Sequence, residues 1–338
     1  MTAETYDVPQ PITKTIHGPY FFEIFTLANL IAIATWMHVT THAPWTQMTN
    51  GFGSTFGGLL AHALLGIAAR LLVCTLRRDA RAYLDIIRSP VWLIDTARIV
   101  IFTVLVTLTY AWIKLMVPIL HPRLFDQQLW NLDRTLFFGY SPNIFFLSLF
   151  SAPSVLRVVD FTYAWVFAGS MALGLGFFMS APGRRLRVAF MDATAAMWII
   201  GAWLYMAVPS LGPAYRFPEV WLPLGALLGH TQMLQAILMR NYLMVMRPNA
   251  LVNIFFGVAA FPSLHVAWQT LAFVWMRRVW RSGEVIFGIF LLLIFLGSVI
   301  TGWHYLIDSL AGVALALGCS WISMKAHHIV FRDALVRQ

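Results

Sequence analysis

ARIVIFTVLVTLTYAWIKLMVPIL, residues 97–120, carries one charge, Lys114, beyond its first turn. About 20 apolar residues at 1.5 Å rise span the roughly 30 Å hydrocarbon core of a bilayer. Working outward, runs of the same kind lie near 21–39, 55–74, 155–180, 186–209, 263–280, 284–301 and 306–324. The chain is 59% hydrophobic and 11% charged, against about 25% charged in an ordinary soluble domain. The expectation is an all-α, polytopic integral membrane protein with about eight transmembrane helices. Strand-type alternation is absent, which excludes an outer-membrane barrel.

The net charge of +9 raises nucleic acid as a partner, and its distribution argues against it. Arg77, Arg78, Arg81 and Arg88, then Arg184, Arg185 and Arg187, then Arg277, Arg278 and Arg281 all fall in alternate connections, on the side of both termini. The opposite side is sparser, with Arg123, Arg134, Arg157, Arg216, Arg240 and Arg247. The positive-inside rule therefore predicts cytoplasmic termini. A bacterial inner membrane is the expected location, with membrane lipids as partners and no nucleic acid. The oligomeric state is not readable.

The segment around LRRDARAYLDIIRSP is the most polar internal stretch, so residues 1–96 read as a two-helix extension with a connector. Residues 97–325 read as a six-helix core, and 326–338 as a cytoplasmic tail. FDQQLWNLDRTLFFGYSP, within 121–154, mixes acidic, basic and aromatic residues as an interfacial element does. The 210–262 connection is apolar and Met-rich. It suits a surface-dipping segment or a lid.

Two polar islands interrupt the apolar runs: FFGVAAFPSLHVAW at 255–268 and TGWHYLIDSLAG at 301–312. Each opens a helix on the extracytoplasmic side, so His265, His304 and Asp308 are expected to meet there. His304 and Asp308 are four apart and stack on one helix face. A carboxylate there can fix one ring nitrogen and free the other to attack. Pro262 suits a first helical turn, and the amides of that turn with the Ser263 hydroxyl make an anion site. His265 is placed to donate a proton to a leaving oxygen. The implied chemistry is histidine attack on phosphorus. Arg240 and Arg247 are candidate phosphate clamps, with Arg216 competing for that role.

On these motifs the chain resembles the type-2 phosphatidic acid phosphatase superfamily. Its K-x6-RP pattern is matched by Arg240-x6-Arg247-Pro248, its PSGH by Pro262-Ser263-Leu264-His265, and its SR-x5-H-x3-D by His304-x3-Asp308. The arginine of the third motif falls on Ser298. That loss, with AFPSLH and HYLID, resembles the fungal inositol phosphorylceramide synthase (inositolphosphotransferase) branch. The resemblance implies His304 as the nucleophile of a phosphohistidine intermediate, Asp308 as its orienter and His265 as the acid. Ser263, Arg240 and Arg247 would hold phosphate. The substrate would be a lipid phosphate or phospholipid, with no metal or cofactor.

Plainer readings compete at each position. Ser263 and Asp308 serve equally well as helix caps, and the arginines as headgroup contacts. A lipid phosphate phosphatase of phosphatidic acid or prenyl diphosphate type shares the same first half-reaction. A transporter would use Asp160, Asp192 and Glu284 along a path, yet no inverted repeat is visible.

Overall fold

A computed structural model describes residues 18–41, 49–247 and 252–329. Pro248 and tail residues 330–338 lie outside it. Among the described residues the chain is helix and turn without strand. In order come α1 (Phe21–Thr41), α2 (Phe52–Leu76), α3 (Ala80–Ile87), α4 (Pro90–Leu120), α5 (Asp126–Leu136), α6 (Pro142–Leu149), α7 (Pro153–Met179) and α8 (Arg184–Ala207). The short α9 (Pro213–Arg216) and α10 (Pro218–Trp221) lead to α11 (Gly229–Val245), α12 (Leu264–Val279), α13 (Arg281–Ile300) and α14 (Leu306–Ala326).

Seven of these are long and apolar enough to cross a membrane: α1, α2, α4, α7, α8, α13 and α14. The eighth expected span is α12, which has 16 residues. That is about 24 Å of helix, short of the core thickness. The irregular segment 256–263 precedes it, with Gly257, Val258, Ala260 and Ser263 buried. Non-helical backbone at such depth survives only where protein covers it or it lines a cavity. Its polar groups are accordingly bonded: Ala260 N–H donates to Ser210 O (2.9 Å) and Ser263 N–H to Asp308 O (2.9 Å).

α12 sits centrally against α8, α13 and α14. Its Trp268 and Trp275 meet Phe190 edge-on, and Phe190 stacks on Phe178 of α7 at 3.9 Å. Buried aromatics of this size dominate core energetics. α2 is peripheral and packs on α7 where Gly66 meets Gly176; a Cβ on Gly66 would stand 2.0 Å from the Gly176 carbonyl oxygen. At the end where α1 begins, Asp95 pairs with Arg184 (2.6 Å) and Glu23 with Arg98. The Phe22 amide and the His327 ring both bind Asp192. Asp160, another acid within a span, accepts the His230 and Thr231 amides at the start of α11. Glu284 stands 3.6 Å from Arg277. Each acid that a transporter reading would need already serves as a tie between helices.

Candidate active site

Two buried turns converge. One is 260–265, leading into α12; the other is 301–308, leading into α14. Ser263 caps α12, its hydroxyl accepting from the Val266 amide at 3.4 Å. The second turn needs Gly302, whose φ is +73° and whose Cβ would stand 2.5 Å from the Trp221 ring. A left-handed residue with no room for a side chain has glycine as its solution. The Asn143 side-chain amide, from α6, donates to Val299 O (2.8 Å) and His304 O (2.9 Å).

The convergence brings His265 Nδ1 to 3.3 Å from His304 Nε2. His265 packs against the rings of Phe167 (4.3 Å) and Tyr163 (5.5 Å) and is half-buried. His304 is 2% exposed. Its Nδ1 donates to the Ala260 carbonyl at 2.9 Å. A carbonyl only accepts, so Nδ1 carries the proton and Nε2 presents its lone pair. Burial pushes the His304 imidazole down to about 3; the Ala260 bond opposes this and the Lys114 charge adds to it.

Asp308 is placed differently from the sequence expectation. Its nearer oxygen stands 3.7 Å from His304 Nδ1, too far for a hydrogen bond. That oxygen accepts the Tyr305 amide at 2.8 Å and caps α14. The competing proton acceptor is a main-chain carbonyl, which has no signature in a side-chain pattern.

The predicted arginines lie outside this pair. Arg240 and Arg247 are exposed, on α11 and just beyond it. Arg216 is exposed too, bonded to Gln127 (3.3 Å), with its field reaching the Tyr305 hydroxyl. The cation whose charge acts on both histidines is Lys114 of α4, half-buried and 3.1 Å from the Tyr110 hydroxyl. A lone lysine late in a 31-residue helix was the available signal, since an ionisable residue at membrane depth marks function by default. Ser298, in the third motif's arginine position, is fully buried and bonds Phe295 O and Ser309 Oγ.

Sequence reading also missed two acids of α5. Asp126 and Asp133 lie on its buried face with Leu129. Asp133 accepts the Leu306 (2.6 Å) and Ile307 (2.8 Å) amides at the start of α14. Burial raises it to about 6, those bonds opposing. Burial likewise raises Asp126, against bonds from Gly212, Leu211 and Tyr305. Two acids seven residues apart on an amphipathic helix beside a membrane were the signal.

A family model described as the PAP2 superfamily matches residues 127–322. The chain belongs to the PAP2 superfamily. No curated protein and no solved structure matches it. The PAP2 match runs from α5 through α14 and contains both turns. As a PAP2 protein the chain is an enzyme of phosphatase or phosphotransferase type, with lipid chemistry suited to its membrane helices.

Proposed function

We propose that this chain is a membrane lipid phosphotransferase working through a phosphohistidine on His304. The observation that carries the reading is the His304 ring. One nitrogen is anchored on the Ala260 carbonyl, and the other faces His265 at 3.3 Å. His304 Nε2 attacks phosphorus and forms the P–N bond. The P–O bond to the departing lipid breaks, and protonated His265 gives that oxygen its proton. In the second half the acceptor hydroxyl returns a proton to His265, its oxygen attacks phosphorus, and the P–N bond breaks. The positive charge on the phosphorylated ring is offset by the Ala260 carbonyl, to which Nδ1–H stays bonded. Lys114 is the leading candidate for the phosphate oxygens. Ser263 contributes the turn it caps.

The 3.3 Å separation is a resting contact. Phosphorus about 3–3.5 Å from the nucleophile, with the acid about 2.6–3.2 Å from the leaving oxygen, needs the two nitrogens about 5 Å or more apart. His304 is buried and anchored, whereas His265 is half-buried against aromatic rings. His265 therefore makes the movement when substrate enters.

Transfer is favoured over hydrolysis because Ser298 is spent inside the bundle where hydrolytic relatives carry an arginine. A phosphodiester bears one negative charge fewer than a phosphate monoester and needs one cation fewer. The branch resembling inositol phosphorylceramide synthase fits that economy. The basic connections support cytoplasmic termini and an extracytoplasmic site in a bacterial inner membrane. The test is product partition by purified protein. Headgroup phosphate from phosphatidylinositol should appear on an added lipid or polyol acceptor such as ceramide. Acceptor-independent release of inorganic phosphate from phosphatidic acid would reject transfer and leave a lipid phosphate phosphatase.

A further inference from the structure

The α5 acids carry chemistry that the reaction itself does not use. Asp126 is 3% exposed, and three donors from two distant segments meet on it. Its Oδ1 accepts the Gly212 amide at 2.8 Å and the Tyr305 hydroxyl at 2.9 Å. The Leu211 amide is shared between its oxygens at 3.0 and 3.1 Å. Tyr305 is the neighbour of His304. The Leu211–Gly212 amides belong to the turn whose Ser210 holds the other side of the site. Ser210 accepts the Ala260 amide with its carbonyl (2.9 Å) and the Phe261 amide with its hydroxyl (3.1 Å). Ala260 in turn receives the His304 Nδ1 proton. From one carboxylate, then, one path runs to the main chain beside His304, and another to the carbonyl that sets its tautomer.

We propose that Asp126 is a positioning residue for His304, aiming Nε2 at the phosphorus. The proposal rests on His304 being the nucleophile. The site geometry favours a carboxylate at this position. Three donors converge, and a carboxylate has acceptor capacity for all of them. An amide of the same shape offers one oxygen, and its NH2 group would face a donor. Gly212 adds to the precision: its φ is +108°, and its Cβ would stand 2.4 Å from the Trp303 carbonyl oxygen. The turn therefore lies directly against the residue preceding His304. Movement of the Asp126 contacts by a fraction of an ångström passes to both anchors of the ring, and a misplacement of about 1 Å in a reacting group can cost on the order of 100-fold in rate.

The experiment uses the full-length protein in detergent micelles with radiophosphate-labelled phosphatidylinositol, and labelled phosphatidic acid as a second probe. Alkali-stable label on the protein is followed in time for wild type, Asp126→Asn, Tyr305→Phe and His304→Ala. Asp126→Asn is expected to form label roughly 10- to 100-fold more slowly, reaching the same end-point, with KM unchanged. Tyr305→Phe removes one of the arms and should slow labelling less. A wild-type rate for Asp126→Asn would overturn the proposal. So would a lowered end-point with an unchanged rate per labelled molecule, which is the mark of a folding defect. Loss of label in His304→Ala tests the nucleophile separately. Wild-type protein that turns over without His304-dependent label overturns the covalent reading, and Asp126 is then judged on turnover, where unchanged kcat in Asp126→Asn overturns its role as well.

Discussion

Protonating His304 should cost this fold stability in an amount its burial sets. The free imidazole titrates at 6.5 and the folded one at about 3. A depressed histidine is a stabilising element above its unfolded pKa, because the unfolded chain takes up a proton that the native chain refuses. That contribution is complete above pH 6.5 and is lost as the pH falls toward 3. At about pH 5 the unfolded histidine is favoured by about 1.5 pKa units, and at about 1.36 kcal/mol per unit this is roughly 2 kcal/mol. His304→Asn is the matched control: its side-chain amide can still donate to the Ala260 carbonyl but takes up no proton. Unfolding of both proteins in detergent is monitored at about pH 7 and about pH 5. The wild type is expected to lose about 2 kcal/mol more than the variant over that interval. Equal losses would mean that His304 titrates near its free value, and that a dry, Ala260-anchored site is wrong. The same burial keeps the nucleophile neutral well below pH 6.5, so the acid limb that His304 protonation gives to kcat/KM is expected near pH 3 and not in the usual histidine range.

Asp133 has the opposite sign. Its pKa rises from 3.8 to about 6, so its contribution is present below 3.8 and is lost as the pH rises through about 6. Asp133→Asn should flatten the pH dependence of the thermal midpoint across that window, and an unchanged curve refutes the burial of the carboxylate. Lys114→Met is expected to lower kcat/KM roughly 10- to 100-fold, the loss of one or two charge-assisted hydrogen bonds. The exposed Arg240→Ala should change kcat/KM by less than about threefold; the reverse ranking would return phosphate binding to α11. His265→Ala should lose turnover of lipid substrates, yet regain much of it with a p-nitrophenyl phosphodiester, whose leaving group needs no proton. Equal impairment on both substrates would remove His265 from the acid role.

Local period and the apolar solvent are enough to read most of the helices from the amino-acid order. Runs near 20 residues with almost no charge have one stable form in a bilayer, so the expected spans and the observed helices coincide closely. PSLH and HYLID were legible because each places its polar residues within one turn of a helix start. The partners of those residues emerge only when the helices pack. Asp126 meets Tyr305 from 179 positions away, and Asn143 meets His304 from 161. His304 and Asp308 have the right spacing for a hydrogen bond, yet His304 gives its proton to the Ala260 carbonyl. Every residue carries such a carbonyl, so packing alone selects the one that reaches the ring. The placement of the arginines was hidden for the same reason. A charge in sequence states that a cation exists, while its burial and the groups its field reaches, as for Lys114 and the two histidines, depend on how α4, α12 and α14 come together.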